Sequence, residues 1–317
     1  MSITAKQLDK VRCELEPLVL DFSHDSIDKT ASESAYLNHY GLDLPSELTS
    51  PRHYMGSLDS GGFRLATHYW LPENPRGTYF VVHGYLEHIG LYGQLIRHLL
   101  TLDYAVVAFD LPGHGLSSGN KVTIESFDHY VDVFSDLLHR CDTYFPKPWK
   151  AVGQSTGAAI LLKYILGAKP HHYQNDLTSI TLLSPLIHPM DWKKGQRTYR
   201  LLHLFLKTIR REFIANTANE AFNYFLANDD PLQSDYIPMQ WIGSMKRWIE
   251  EFGGLPLSDY PILVIQGNCD LTVDWQHNTD VLSKKFRHMK LEIIAGGQHQ
   301  LVNEAKQLRD KVFAEIN

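Results

Sequence analysis

Cysteine is scarce in this chain: three among 317 residues, Cys13, Cys141 and Cys269. An odd, scattered set without metal-ligand spacing argues against a disulfide framework and favours a reducing compartment. Long apolar runs are also missing. No uncharged stretch reaches the ~18 residues that a membrane-spanning helix needs. The N-terminus, "MSITAKQLDKVRCELEPLVLDF", mixes charges with short apolar groups and has no signal-peptide core. A cytoplasmic protein is expected. Positive charge is not in excess: the formal net charge is −6 and the pI about 6.3. No global basic field therefore points to nucleic acid. Internal repeats and low-complexity tracts are absent. The glycine-rich "FDLPGHGLSSG" (109–119) lacks both G-x-G-x-x-G spacing and a phosphate-loop lysine, which argues against nucleotide binding. The pair His171–His172 has no zinc-ligand pattern. No cofactor is implied.

What is present is a large apolar complement, 44% of residues, arranged as short runs. Residues 1 to about 50 read as a polar, partly helical lead-in. Residues 52–58 and 63–70 flank "DSGG", a hairpin signal. Strands are then expected at 78–83, 105–110, 149–154, 179–184, 261–266 and 290–295, separated by helix-period stretches. Near-continuous apolar strands alternating with helices predict an α/β fold: a mostly parallel central sheet, helices on both faces, and the hairpin at one edge. About 75 residues separate the strands at 179–184 and 261–266, too many for one crossover. Residues 186–258, rich in aromatics, are expected to form a helical cap inserted after the sixth strand. Residues 51–185 and 259–317 would form the core. An insertion at a C-terminal strand end lies where ligands bind in open α/β sheets.

The chemistry begins at "VGQSTGAA" (152–159). Ser155 lies between Gly153 and Gly157, after a strand and before a helix, as a nucleophile elbow requires. Side chains at the two glycines would collide with the neighbouring strand and helix. A serine hydroxyl needs a base, and the order in this architecture is Ser, acid, His. His299 follows the strand at 290–295. Asp270 follows the strand at 261–266, with Asp274 four residues on as its rival. Ser155, Asp270 and His299 then converge on one sheet edge as a triad. Attack on an ester carbonyl also needs oxyanion donors. The Thr156 N–H is one. The Tyr85 N–H, in "HGYLEH" after the strand at 78–83, is the other. There Gly84 is expected to let the chain turn and His83 to brace the loop. His114 is read as structural.

With these residues in place, the sequence resembles the α/β-hydrolase superfamily, and within it the monoacylglycerol lipase, lysophospholipase and serine aminopeptidase branch. The resemblance rests on residues 81–95, 106–119, 152–159, 263–274 and 293–301, in family order. It implies Ser155 as nucleophile, Asp270 as acid, His299 as base, and Tyr85 and Thr156 as oxyanion donors. The branch usually has His before the nucleophile, then Met and two glycines after it. Here Gln154, Thr156 and Ala158 stand at three of those positions, and Tyr85 is bulkier than the usual residue.

The leading expectation is a serine esterase that cleaves a lysophospholipid or monoacylglycerol, because an aromatic cap suits an acyl chain at about 0.8 kcal/mol per buried methylene. A serine aminopeptidase is the alternative. It would need an acid for the substrate ammonium, and Glu212, Glu220, Asp229, Asp230, Glu250 and Glu251 are candidates. A non-catalytic small-molecule binder is a third reading. Residues 192–211 carry seven Lys or Arg and no acid, with Leu201, Leu202, Phe205, Leu206 and Ile209 placed to share one helical face. Such a helix suits contact with an anionic membrane. The preferred expectation is that it packs its apolar stripe on the domain.

Overall fold

A computed structural model of the chain describes residues 3–20, 29–44, 51–167 and 176–317; His171 and His172 lie outside them. The chain opens with two helices, α1 (Ala5–Glu14) and α2 (Ala31–Tyr40), each started by a capping box, Thr4 with Gln7 and Thr30 with Glu33. The hairpin β1 (Arg52–Ser60) and β2 (Phe63–Leu71) follows, then β3 (Thr78–Val82), α3 (Gly93–Thr101), β4 (Ala105–Phe109), α4 (Phe127–Cys141), β5 (Trp149–Gln154), α5 (Thr156–Leu166) and β6 (Leu177–Leu183). The insertion holds α6 (Trp192–Leu202), β7 (Thr208–Arg210), α7 (Glu220–Asn228), β8 (Tyr236–Pro238) and α8 (Met239–Gly254). The core resumes with β9 (Ile262–Gly267), α9 (Trp275–Lys285), β10 (Met289–Ile294) and α10 (Lys306–Ala314).

Eight strands form one sheet in the order β1-β2-β4-β3-β5-β6-β9-β10. The hairpin pairs antiparallel and occupies one edge; β3, β4, β5, β6, β9 and β10 are mutually parallel. Every residue of β3 and β4 is buried, because helices cover both faces. One apolar core takes side chains from α4, α5 and α8, the other from α1, α2, α3 and α10. The described part of the lead-in thus belongs to the packed body: Leu8, Val11, Tyr36, Leu37 and Tyr40 are buried.

The topology also selects the site. From β3 the chain moves outward to β4, then returns to the other side of β3 at β5. This reversal leaves a crevice beyond the carboxyl ends of β3 and β5. Val82 and Gly153 are register partners there, so the loop after β3 and the turn after β5 are neighbours.

The insertion differs from expectation in two ways. It is not purely helical, since β7 and β8 form a two-stranded antiparallel ribbon with Ile209 opposite Ile237. And the basic stretch is not one helix. The helix stops at Leu202, where the Tyr199 carbonyl takes both the His203 backbone N–H at 3.0 Å and the His203 ring Nδ1 at 2.9 Å. Thr208 and Ile209, β-branched, then join the ribbon. The apolar stripe is split accordingly. Leu202 and Ile209 line an internal cavity, while Leu201, Leu204 and Phe205 are 71%, 77% and 81% exposed. The expected packing of this stripe on the domain is therefore incorrect. No helix among the described residues is long and apolar enough to cross a membrane.

Candidate active site

Ser155 sits at the turn between β5 and α5 with φ 52° and ψ −107°, a left-handed conformation costly for a residue with a Cβ. Neighbours hold it there. Its N–H donates to Leu183 O at 2.8 Å, and its carbonyl accepts from Ala159 and Leu186. The flanking glycines are a matter of space. A Cβ at Gly153 would come within 2.6 Å of the Gly157 carbonyl carbon, and one at Gly157 within 2.0 Å of Val82 O. The turn brings the Gly157 backbone up against the end of β3, where no larger residue fits.

His299 follows β10 and is buried. Its Nδ1–H donates to Asp270 Oδ2 at 2.8 Å, which leaves Nε2 as the free ring nitrogen. Asp270, beyond β9, also accepts from the Thr272 N–H (2.8 Å), the Val273 N–H (3.1 Å) and the Gln266 amide (3.1 Å). Burial alone would raise its pKa, but the His299 ring and these donors hold it below the usual carboxylate range. Burial alone would lower His299. The carboxylates of Asp270 and Glu87 outweigh it and hold the imidazole above its ordinary value. Asp274, the rival acid, faces elsewhere and caps α9 by accepting from the His277 N–H at 3.2 Å.

The loop after β3 is built around a carboxylate that sequence reasoning missed. Glu87 is buried and accepts from the Gly84 N–H (3.0 Å), the Tyr92 hydroxyl and the Gln300 amide. Burial pushes its pKa up against these donors. Gly84 is required for room rather than for turning. A Cβ there would lie 2.7 Å from Glu87 Oε1, and the left-handed residue of the loop is Leu86, φ 63°. His83 bonds Gly84 O through Nδ1 (2.7 Å) and accepts the Leu111 N–H at Nε2 (2.8 Å), while burial keeps it neutral by lowering its pKa. His114 bonds Pro112 O through Nδ1. The only visible signal for Glu87 was its place in "HGYLEH". An acid four residues past a strand end more often starts a helix.

The Tyr85 side chain points sideways. Its ring stacks on Trp241 of α8 at 3.5 Å and its hydroxyl donates to Val122 O at 2.9 Å, so its bulk joins the loop to the insertion. No protein acceptor lies on the Tyr85 N–H or the Thr156 N–H among the described residues, and both residues line the same cavity as Ser155.

That cavity has a volume of about 630 Å³. Ser155, Thr156 and His299 line it. Leu186, Met190, Trp192, Tyr199, Leu202, Met239, Trp241 and Met245 form much of its wall. The size and apolar wall with few polar groups are those of a ligand site. Of the acids considered for an ammonium, only Glu212 lines it; Asp230 pairs with buried His88, Glu250 with Lys246 and Glu251 with Lys163. Among the described residues no group of three or more His, Cys, Asp or Glu could hold a metal ion.

The serine aminopeptidase S33 family profile matches residues 73–306. Human monoglyceride lipase is 28% identical over 281 residues, covering 82% of this chain and 88% of that protein. Phospholipase YtpA of Bacillus subtilis is 23% identical, covering 77% of this chain and 95% of that protein. Among solved structures, a soluble variant of monoglyceride lipase from Saccharomyces cerevisiae, in complex with a substrate analogue, superposes with a TM-score of 0.71 at 21% identity, covering 86% and 95% of the two chains. By profile, relatives and fold, the chain belongs to the serine aminopeptidase S33 family, in the monoglyceride lipase and lysophospholipase branch of the α/β-hydrolases.

Proposed function

We propose that the protein is a serine hydrolase that cleaves the carboxylic ester of a single-chain lipid, a monoacylglycerol or lysophospholipid, through an acyl-enzyme on Ser155. The observation that carries this reading is the His299–Asp270 pair, which leaves Nε2 as the free ring nitrogen of a residue that lines the same apolar cavity as Ser155. In the first step Ser155 Oγ bonds to the ester carbonyl carbon as its proton passes to His299 Nε2. Asp270 stabilises the imidazolium. The oxyanion takes the N–H groups of Tyr85 and Thr156, each such donor being worth on the order of 10²–10³ in rate. The C–O bond to the alcohol then breaks, and the alcohol leaves with the His299 proton. Water deprotonated by His299 attacks the acyl-enzyme, frees the fatty acid and returns the proton to Ser155.

In this reading residues 186–258 are the cap, and their apolar wall holds the acyl chain. The names of the relatives, monoglyceride lipase and phospholipase, support the same substrate class. Leu201, Leu204 and Phe205, exposed in the basic 192–211 stretch, form the outer face that would meet an anionic membrane. The peptidase alternative fares less well. Of the carboxylates that line the cavity, buried Glu87 already has three donors and offers little to an ammonium, which leaves Glu212 and Asp191 to hold one. A panel of acyl glycerols, lysophospholipids and amino-acyl anilides tests the proposal. Ester turnover lost in Ser155→Ala is expected; anilide turnover without ester turnover would replace it with the peptidase reading.

A further inference from the structure

The one basic side chain of the 192–211 segment that is both half-buried and fixed in the cavity wall is Arg211, just past β7. Its backbone N–H donates to Asp235 O at 2.7 Å. Its Nη1 donates to Gln233 Oε1 at 2.7 Å and to Ser234 O at 3.5 Å. Gln233 is itself oriented: its amide nitrogen donates to Asp230 Oδ2 at 2.7 Å. Asp230 is buried, accepts from the Tyr40 hydroxyl (2.8 Å) and the Leu232 N–H (3.1 Å), and pairs with buried His88 at 3.1 Å. A chain of bonds from the lead-in and the β3 loop thus holds one edge of the guanidinium in place.

The acceptors on that edge are neutral. Among the described residues Arg211 makes no ion pair, and Nε and Nη2 have no acceptor. Carboxylates are nearby: Asp230, Asp235 and Glu87 act on it through space, and Asp191 and Glu212 line the same cavity. None bonds it. Burying part of a guanidinium without an anionic partner costs free energy that a bound anion would recover. Its planar fork matches two oxygens of a phosphate. Lys194 adds a second cation to the same lining.

We infer that Arg211 is an anion-binding, specificity-determining residue of the cavity, and that the alcohol part of the substrate carries a phosphate ester. The preferred substrate is then an anionic lysophospholipid rather than a neutral monoacylglycerol. This rests on the ester-hydrolase reading above, and it says which of that reading's two lipid classes the site is built to take. The phosphate stays attached to the departing alcohol, so the chemistry at Ser155 is unchanged.

The experiment compares kcat/KM for lysophosphatidylglycerol and for monoacylglycerol of the same acyl chain, both in neutral detergent micelles. The proteins are the full chain, Arg211→Gln and Arg211→Lys, each checked for an unchanged melting temperature. A charge-assisted contact predicts that Arg211→Gln lowers the anionic-to-neutral ratio by about 10- to 100-fold, mainly through KM. Arg211→Lys should retain part of the preference. An unchanged ratio, or equal loss on both substrates, overturns the inference, the latter by making Arg211 a prop for the Gln233–Asp230 chain. Absence of ester turnover in the unmodified chain would instead overturn the hydrolase reading itself.

Discussion

The Gln154 side chain donates its amide to the backbone carbonyl of His299 at 2.8 Å, both residues being buried. The residue before Ser155 therefore fastens the end of β5 to the loop that carries the candidate base. Where relatives of this branch usually place histidine, this chain has a neutral amide that fixes the position of His299 from its main chain.

Gln154→Leu removes one of the two donors on that carbonyl and leaves it the Leu301 N–H at 3.0 Å, a loss of about 0.5–1.5 kcal/mol. Thermal unfolding should show a lower Tm. Because the His299 ring is then less well held, ester kcat should fall more than KM changes. A variant with normal kcat would mean that the contact only stabilises the fold.

Two acids four residues apart should separate cleanly. Asp270→Asn alters the partner of His299 Nδ1, and kcat should fall by about 10³–10⁴-fold. Asp274→Asn touches only the N-terminus of α9 and keeps a side chain able to cap it, so kcat should stay near the parent value and stability should change by roughly 1 kcal/mol or less. Steady-state kinetics on both variants checks this.

The pH profile follows from the same pair. As the proposed base, His299 would have to be neutral, and the carboxylates of Asp270 and Glu87 hold it above the ordinary imidazole pKa of about 6.5. Activity is thus lost as pH falls through that raised value, and the acid limb of kcat/KM should lie above pH ~6.5. Asp270→Asn removes the main raising charge, so its residual activity should show the limb displaced to lower pH. A limb at or below the ordinary value in the parent chain would argue against a charged Asp270 partner.

The strands were legible because each is a short apolar run bounded by turn residues. All eight strands of the central sheet overlap their expected ranges, and Ser155, Asp270 and His299 lie just past the ends of β5, β9 and β10 as expected. Gly153 and Gly157 were read correctly for the same reason, since a turn from strand to helix leaves no room for a Cβ. Tertiary partners far away in sequence were not legible. Glu87 takes its meaning from Gln300, 213 residues on, and Tyr40 meets Asp230 across 190 residues. The basic stretch misled because its apolar spacing fits a helix, whereas ribbon pairing of Ile209 with Ile237 overrides that period.

The central claim is that Ser155 is an activated nucleophile, and labelling with a fluorophosphonate followed by peptide mass mapping tests it most directly. The account predicts one phosphonyl adduct on the peptide carrying Ser155, absent from Ser155→Ala and much slower to form in His299→Ala. No adduct on the folded chain, or an adduct on another residue that survives Ser155→Ala, would contradict it.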